Sequence, residues 1–401
     1  MADRTLNSVE LFTGAGGLAI GVSNAGFCHQ ATIEQDKNAC LTIVSNQQRG
    51  IPAVADWPVF QTDIRHFDFT ALKIKGEIDL LAGGPPCQPF SQGGKHRGWD
   101  DSRDMFPQFF RAVRELQPKA ILVENVKGLL RSTFSKYFEY IILQLTYPEI
   151  VQKPGEDWVD HLSRLERNHT VGCSSRLSYR VIFHTLNAAD YGIPQKRDRV
   201  FIVGFRSDLG IEWSFPKPTH SQEALLWEQW VTGDYWERHN VDCSERLEER
   251  TKQKSSIYKL QSSLFPPLTQ PWHTVRDAVW DLPPPDSEEG SSKVLNHAFI
   301  PGARKYPGHT GSPLDEPAKT LKAGVHGVPG GENMLALPNG EVRYFTIREA
   351  ARLQTFPDEY FFPHCWTQTM RQLGNAVPVA LAEILASSIK THLLIAKPVQ
   401  I

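Results

Sequence analysis

The residue in this sequence best suited to covalent chemistry is a cysteine set among prolines. Cys87 lies in Gly83-Gly84-Pro85-Pro86-Cys87-Gln88-Pro89-Phe90-Ser91, directly after the apolar run Ile78 to Ala82. A strand followed by a loop puts the thiol just beyond a strand's carboxyl end, where open α/β sheets bind ligands. Prolines on both sides restrict the loop backbone, which suits a thiol that must be aimed. Cysteine elsewhere is commonly a small buried hydrophobe. The next apolar run, Ile121-Leu122-Val123, ends in Glu124-Asn125-Val126, so Glu124 is expected on the same sheet edge. A basic element, Gln195-Lys196-Arg197-Asp198-Arg199, leads into a further apolar strand.

A second kind of chemistry is written near the N-terminus. Val9-Glu10-Leu11-Phe12-Thr13-Gly14-Ala15-Gly16-Gly17-Leu18 reads as a strand, a glycine-rich turn and a helix start, where small residues let backbone approach a ligand. Glu34, twenty residues after Gly14, ends the next strand and is placed to accept hydrogen bonds from ribose hydroxyls. The glycines do not spell Gly-x-Gly-x-x-Gly, and no Gly-Lys-Ser/Thr follows. An adenosine ligand without pyrophosphate, such as S-adenosylmethionine, therefore fits better than a dinucleotide or ATP. Asp63 is within reach of an adenine amino group by this reading, or is a solvated loop carboxylate.

These groups need a scaffold. The first two hundred residues alternate β-branched apolar runs with helical stretches, which predicts βα units on a largely parallel sheet. Strands are expected at Val9 to Phe12, Gln30 to Glu34, Ile78 to Ala82, Ala120 to Glu124, Tyr179 to Leu186 and Arg199 to Phe205, with helices over Met105 to Leu116 and Tyr137 to Tyr147. After Arg206 the texture changes. Six of the ten tryptophans fall between Trp213 and Trp280, where they are expected in a core, and 282–292 reads as a loop or linker. Helical pattern returns from Phe345, and a last helix follows Pro378.

Composition bounds the rest. The chain has 401 residues with 40% hydrophobic and 22% charged, enough for two or three domains, and wholesale disorder is excluded. Net charge is −2, so no global basic excess announces nucleic acid, though a cleft can concentrate charge locally. The six cysteines form no Cys-x-x-Cys pair, and neither a disulfide framework nor a metal site is indicated. No window approaches 18 consecutive apolar residues and the N-terminus lacks a signal-peptide layout, so a cytoplasmic protein without a membrane partner is expected.

Taken in order, the opening glycine turn, Gly84 to Ser91, Glu124-Asn125-Val126 and Gln195 to Arg199 resemble the DNA (cytosine-5)-methyltransferases of bacterial type II restriction-modification systems. Two later stretches strengthen the resemblance: Tyr344 to Asp358 and Gln372-Leu373-Gly374-Asn375-Ala376-Val377-Pro378. It covers about residues 8–206 and 341–388. It implies an α/β fold, a Rossmann-like S-adenosylmethionine-dependent sheet with helices on both faces, plus a smaller irregular target-recognition domain. The implied boundaries are 1–206 completed by 341–401 for the catalytic domain, and 207–340 for target recognition.

The resemblance also implies roles. Cys87 adds to cytosine C6, Glu124 serves N3, Arg199 the O2 oxygen, and Arg197 supports them. Phe12, Gly14, Gly16, Glu34, Gln35, Asp63, Ile64, Asn375 and Val377 map to the S-adenosylmethionine pocket, with S-adenosylhomocysteine as product and no metal. The cytosine would be rotated out of the duplex, and Gln92 to Arg103 suits a loop closing over it. Gln88, Ser91, Lys95, Arg97 and Arg103 are then expected at DNA, as are Lys319, Thr320 and Lys322 in the variable middle. The expected partners are double-stranded DNA with a short specific site and, functionally, a restriction endonuclease; the enzyme is expected to be a monomer. An RNA (tRNA) cytosine-5 methyltransferase, or a catalytically silent DNA-binding regulator, are the competing readings. The stretch 147–176 is long for its place and reads as an added helix.

Overall fold

The computed structural model describes residues 5–72, 76–86, 104–172, 176–242, 254–263, 265–323 and 333–396. The chain forms two compact units: 1–186 with 198–216 and 382–401, and 187–197 with 217–381. The segment 341–381 thus packs in the second unit, and the chain returns to the first at Ala382, not at 341 as the resemblance implies.

The first unit is built on one sheet. Its strands are β1 (Leu6–Leu11), β2 (Phe27–Glu34), β3 (Val59–Gln61), β4 (Leu80–Gly83), β5 (Ala120–Val126), β6 (Tyr179–Asn187) and β7 (Asp198–Arg206), in spatial order β3-β2-β1-β4-β5-β7-β6. Neighbours from β3 to β5 run parallel, and β7 lies antiparallel to β5. Leu80, Leu81, Ala82, Ile121, Leu122 and Val123 are all buried, the near-continuous apolar run of a sheet covered on both faces. Each expected strand is present to within about three residues. In this sheet the strand that was not foreseen is β3, whose three residues Val-Phe-Gln sit at the sheet edge and are too few for a period.

Helices cover the sheet by their apolar stripes. Phe106–Leu116 starts with proline in its first turn and ends on Gln117 at φ +46, and its Phe106, Phe109, Phe110 and Val113 are buried. Each such aromatic ring removed from water contributes about 1.5–3 kcal/mol. The helix Ser135–Thr146 packs beside Trp158–Val171, the helix expected in the 147–176 stretch, which Asp157 caps through the amides of Val159 and Asp160. Its Leu162 and Leu165 join the same core, so its buried stripe covers this unit. The last helix, Val379–Ile395, also packs here: Asn24 donates to Glu383 at 3.0 Å and Trp213 to Ser388 at 2.9 Å.

The second unit is irregular. Its strands have two or three residues: Gln195–Lys196 pairs with Ala318–Lys319, and Met334–Ala336 with Ser312–Pro313 and Val342–Tyr344. Ala189, Leu225, Tyr235, Trp236, Val241 and Trp272 form a small core. Trp280 departs from the expectation of a tryptophan core, being 72% exposed. The stretch expected as a linker holds the helix Glu288–Lys293, capped by Ser287.

Candidate active site

The carboxyl ends of the parallel strands carry the site residues of the first unit. After β1 the chain turns through Phe12 at φ +59, Gly14 at φ +56 and Gly16 at φ +92. A phenylalanine in the left-handed region is strained by roughly 1–3 kcal/mol, a cost found mainly where function over-determines the backbone. Gly14 has open space where a Cβ would project. Glu34, at the end of β2, holds this turn: Gly14 N–H donates to one carboxylate oxygen at 2.8 Å and Asp36 N–H to the other at 2.7 Å. Burial pushes the Glu34 pKa up, and the Asp36 and Gly14 amides oppose that rise. Each oxygen keeps a further lone pair, so ribose hydroxyls still find acceptors.

Gln35 is exposed beside Glu34, and Ile64 is buried. Asp63 is engaged locally. It caps the Ile64–His66 turn and pairs with Arg65 at 2.5 Å, and that hydrogen-bonded guanidinium holds its pKa down at about 2. An adenine amino group would have to share this carboxylate with Arg65. Glu10 is one residue that the sequence reading left without a role. It is buried in β1 and accepts the Ala19 amide, so it fixes the helix following the glycine turn, and burial pushes its pKa well above the carboxylate range.

Glu124, next to last in β5, meets Arg199 in β7. Arg199 Nε donates to Glu124 Oε1 at 2.9 Å, with both side chains about nine-tenths buried. The antiparallel register sets Val126 opposite Arg199 and Glu124 opposite Phe201, so the pair is a diagonal contact on one sheet face. A Cβ on Gly84 would stand 3.0 Å from Glu124 Oε2, so the carboxylate lies directly over that glycine. Asn125, quoted in the motif without a role, donates its amide to Pro85 O at 3.2 Å and accepts Val126 N–H at 2.9 Å. It therefore pins the backbone two residues before Cys87. Cys87 itself, with Gln88, Ser91, Lys95, Arg97 and Arg103, lies outside the described residues.

Arg197, expected in a supporting part, makes its contacts with main-chain atoms. It is fully buried in the second unit, where Nη1 donates to Leu321 O at 3.2 Å and Nη2 to Gly374 O at 2.7 Å and Ala376 O at 2.8 Å. A guanidinium turned onto main-chain carbonyls holds backbone. Asn375 ends the helix Trp366–Asn375 and is exposed, while Val377 is buried. Lys319 Nζ donates to Thr310 at 3.0 Å, and Thr320 spends its hydroxyl proton on Lys196 O at 2.7 Å. Lys322 is exposed, with its backbone N–H donated to Asn333 at 3.0 Å.

A family model for C-5 cytosine-specific DNA methylases matches residues 6–147 and 159–391. The type II methyltransferase M.PspPI of a Psychrobacter strain is 33% identical over 96% of this chain and 79% of its own length. M.NgoMIV of Neisseria gonorrhoeae is 30% identical over 95% and 96%. Among solved structures, the S. pombe Dnmt2 methyltransferase superposes with a TM-score of 0.53 at 17% identity, covering 97% of this chain and 99% of its own. Spodoptera frugiperda DNMT2 gives 0.55 at 15% identity, covering 96% and 100%.

Proposed function

Because the chain belongs to the C-5 cytosine-specific DNA methylase family, as a type II DNA (cytosine-5)-methyltransferase, we propose that it methylates a flipped-out cytosine through a covalent Cys87 adduct. The observation that carries this reading is the buried Glu124–Arg199 pair over Gly84, on the sheet edge from which the Cys87 segment departs.

The chemistry requires such a pair. Cytosine C5 is a weak nucleophile, and addition of the Cys87 thiolate at C6 forms an S–C bond and moves the ring electrons toward C5. Negative charge develops at N3 and O2. Glu124, protonated when it engages the base, donates to N3, and Arg199 stabilises O2 with a fixed cation in a water-poor site. Gly84 leaves the Glu124 carboxyl room, and Asn125 fixes the backbone that presents the thiol.

S-adenosylmethionine supplies an electrophilic methyl group on a sulfonium. The open face of Gly14 and the carboxylate of Glu34, already ordered by two amides, suit its adenosine part, and the family motifs assign Phe12, Gly16, Gln35, Asp63 and Ile64 to the same ligand. Asn375 and Val377 are assigned to the same ligand by the family motif. Once C5 is methylated, loss of its proton to a base breaks the S–C6 bond and restores the free thiol. Lys95, Arg97, Arg103, Gln88 and Ser91 would meet the opened duplex, and Lys319, Thr320 and Lys322 belong to the surface that reads the site. The protein acts as a monomer in the bacterial cytoplasm, protecting sites from a cognate endonuclease.

The test is methylation of plasmid DNA by the purified protein with S-adenosylmethionine, mapped by bisulfite sequencing. Modified cytosines in one short recurring context are expected. Label on tRNA but not DNA would move the activity to RNA. Cofactor binding with neither substrate labelled would leave a silent DNA-binding protein.

A further inference from the structure

Arg197 does more than fill space. A fully buried guanidinium is costly unless its donors are satisfied, and its Nη atoms are satisfied by carbonyls from two segments far apart in sequence: Leu321, and Gly374 with Ala376. Leu321 lies between Thr320 and Lys322, in the stretch assigned to DNA. Gly374 and Ala376 flank Asn375, the residue assigned to the cofactor. Gly374 is next to last in a helix whose last carbonyls lack helical partners, and a cation there also meets the negative end of the helix dipole.

Neighbouring groups draw the same two segments together. Gln195 accepts the Leu321 amide at 3.0 Å. Gln354 donates to Ala376 O at 3.3 Å and also to Leu373 O. A Cβ on Gly374 would stand 2.3 Å from Ala323 N and 2.5 Å from Lys322 C, so the two backbones touch at a residue that has to be glycine.

We infer that Arg197 is a positioning residue that locks the 319–322 segment and the Asn375–Val377 turn into one frame, so that DNA and cofactor strengthen each other's binding. The inference rests on the functional reading above. A segment ordered by DNA holds Leu321 O in place, and the same guanidinium then holds the carbonyls beside Asn375. Ordering paid at one site is not paid again at the other. The coupling is reciprocal by linkage.

The experiment uses the full chain and S-adenosylhomocysteine, which binds without reacting. Its dissociation constant is measured calorimetrically with and without a saturating unmethylated duplex containing the site found by bisulfite mapping. Wild type should bind about fivefold or more tighter with DNA. Arg197→Lys replaces a planar fork by a point charge and loses its geometry toward the three carbonyls; Gly374→Ala pushes the two backbones apart while keeping the guanidinium. In both, the ratio should fall to about one. A purely structural role would lower melting temperature and active fraction while leaving the ratio unchanged, and that result overturns the inference. So does a wild-type affinity indifferent to DNA, which needs no variant to fold. Absence of any S-adenosylhomocysteine binding by wild type removes the functional reading itself.

Discussion

In the first unit, β4 and β5 are joined by a ladder in which Leu80, Leu81 and Ala82 pair with Ala120, Ile121 and Leu122. In the second unit strands of two or three residues cannot satisfy the backbone that way, and side chains take the carbonyls instead. Arg348 donates to Leu295, Pro357 and Tyr360. Asn296 exchanges two bonds with Phe362, and Asn333 two with Lys322. Buried backbone groups must be paired by something. A regular sheet provides this anonymously, for almost any apolar sequence. An irregular unit needs named residues, so its polar interior is specific to this chain.

The contrast can be broken most sharply at the chemistry, which we assign to the sheet edge. Cys87→Ala should take turnover below detection while DNA binding, followed by gel shift, persists; normal turnover would reject covalent catalysis. Glu124→Gln keeps the shape over Gly84 and should slow the single-turnover rate by about 10²- to 10⁴-fold; an unchanged rate would remove its role. Stability offers a finer comparison. Leu81→Ala leaves a cavity in the sheet core and should cost about 2–5 kcal/mol, whereas Arg348→Met leaves carbonyls unpaired and should cost about 1–3 kcal/mol. Urea unfolding checks both, and an Arg348→Met variant as stable as its parent would show that those carbonyls did not need it.

The smallest expected effect is on pH. Burial raises the Glu34 pKa above 4.5, and only its carboxylate offers both oxygens to ribose hydroxyls. Cofactor affinity should therefore weaken as pH falls through that raised value. The sign for folding is opposite. The fold favours the protonated form, so this group's contribution to stability is fully present below its unfolded pKa and is lost as pH rises through the folded one. Glu34→Gln should flatten the affinity profile; an unaltered acid limb would assign it to another group.

The sheet was legible because its strands are apolar runs that end in polar residues, and the place of Glu124 at such an end followed from the same pattern, whereas the parts given to Glu124 and Arg199 rest on the family resemblance. What Asn125 does was not legible, since its partner is a carbonyl at Pro85, a main-chain atom with no residue type to read. The carbonyl partners of Arg197 were hidden for a related reason. In sequence it stands two residues from Arg199 and has the same chemistry, and only the fold reveals that one meets a carboxylate and the other a set of carbonyls. The division at Ala382 was equally hidden, because the motif 372–378 is contiguous with the helix that returns to the first unit.

The diagonal contact between Glu124 and Arg199 also bears on how the chain finds its fold. Ala120 to Val123 is apolar at every position and buried on both faces, so hydrophobicity alone gains little by one alignment of β5 over another slipped by a residue. The polar end of the strand breaks that degeneracy: a slip would turn Glu124 to the far face, away from Arg199, and carry Asn125 off Pro85. The site residues thus serve as register marks for the central sheet. A Glu124→Leu variant would lose a specification of strand alignment along with its acid.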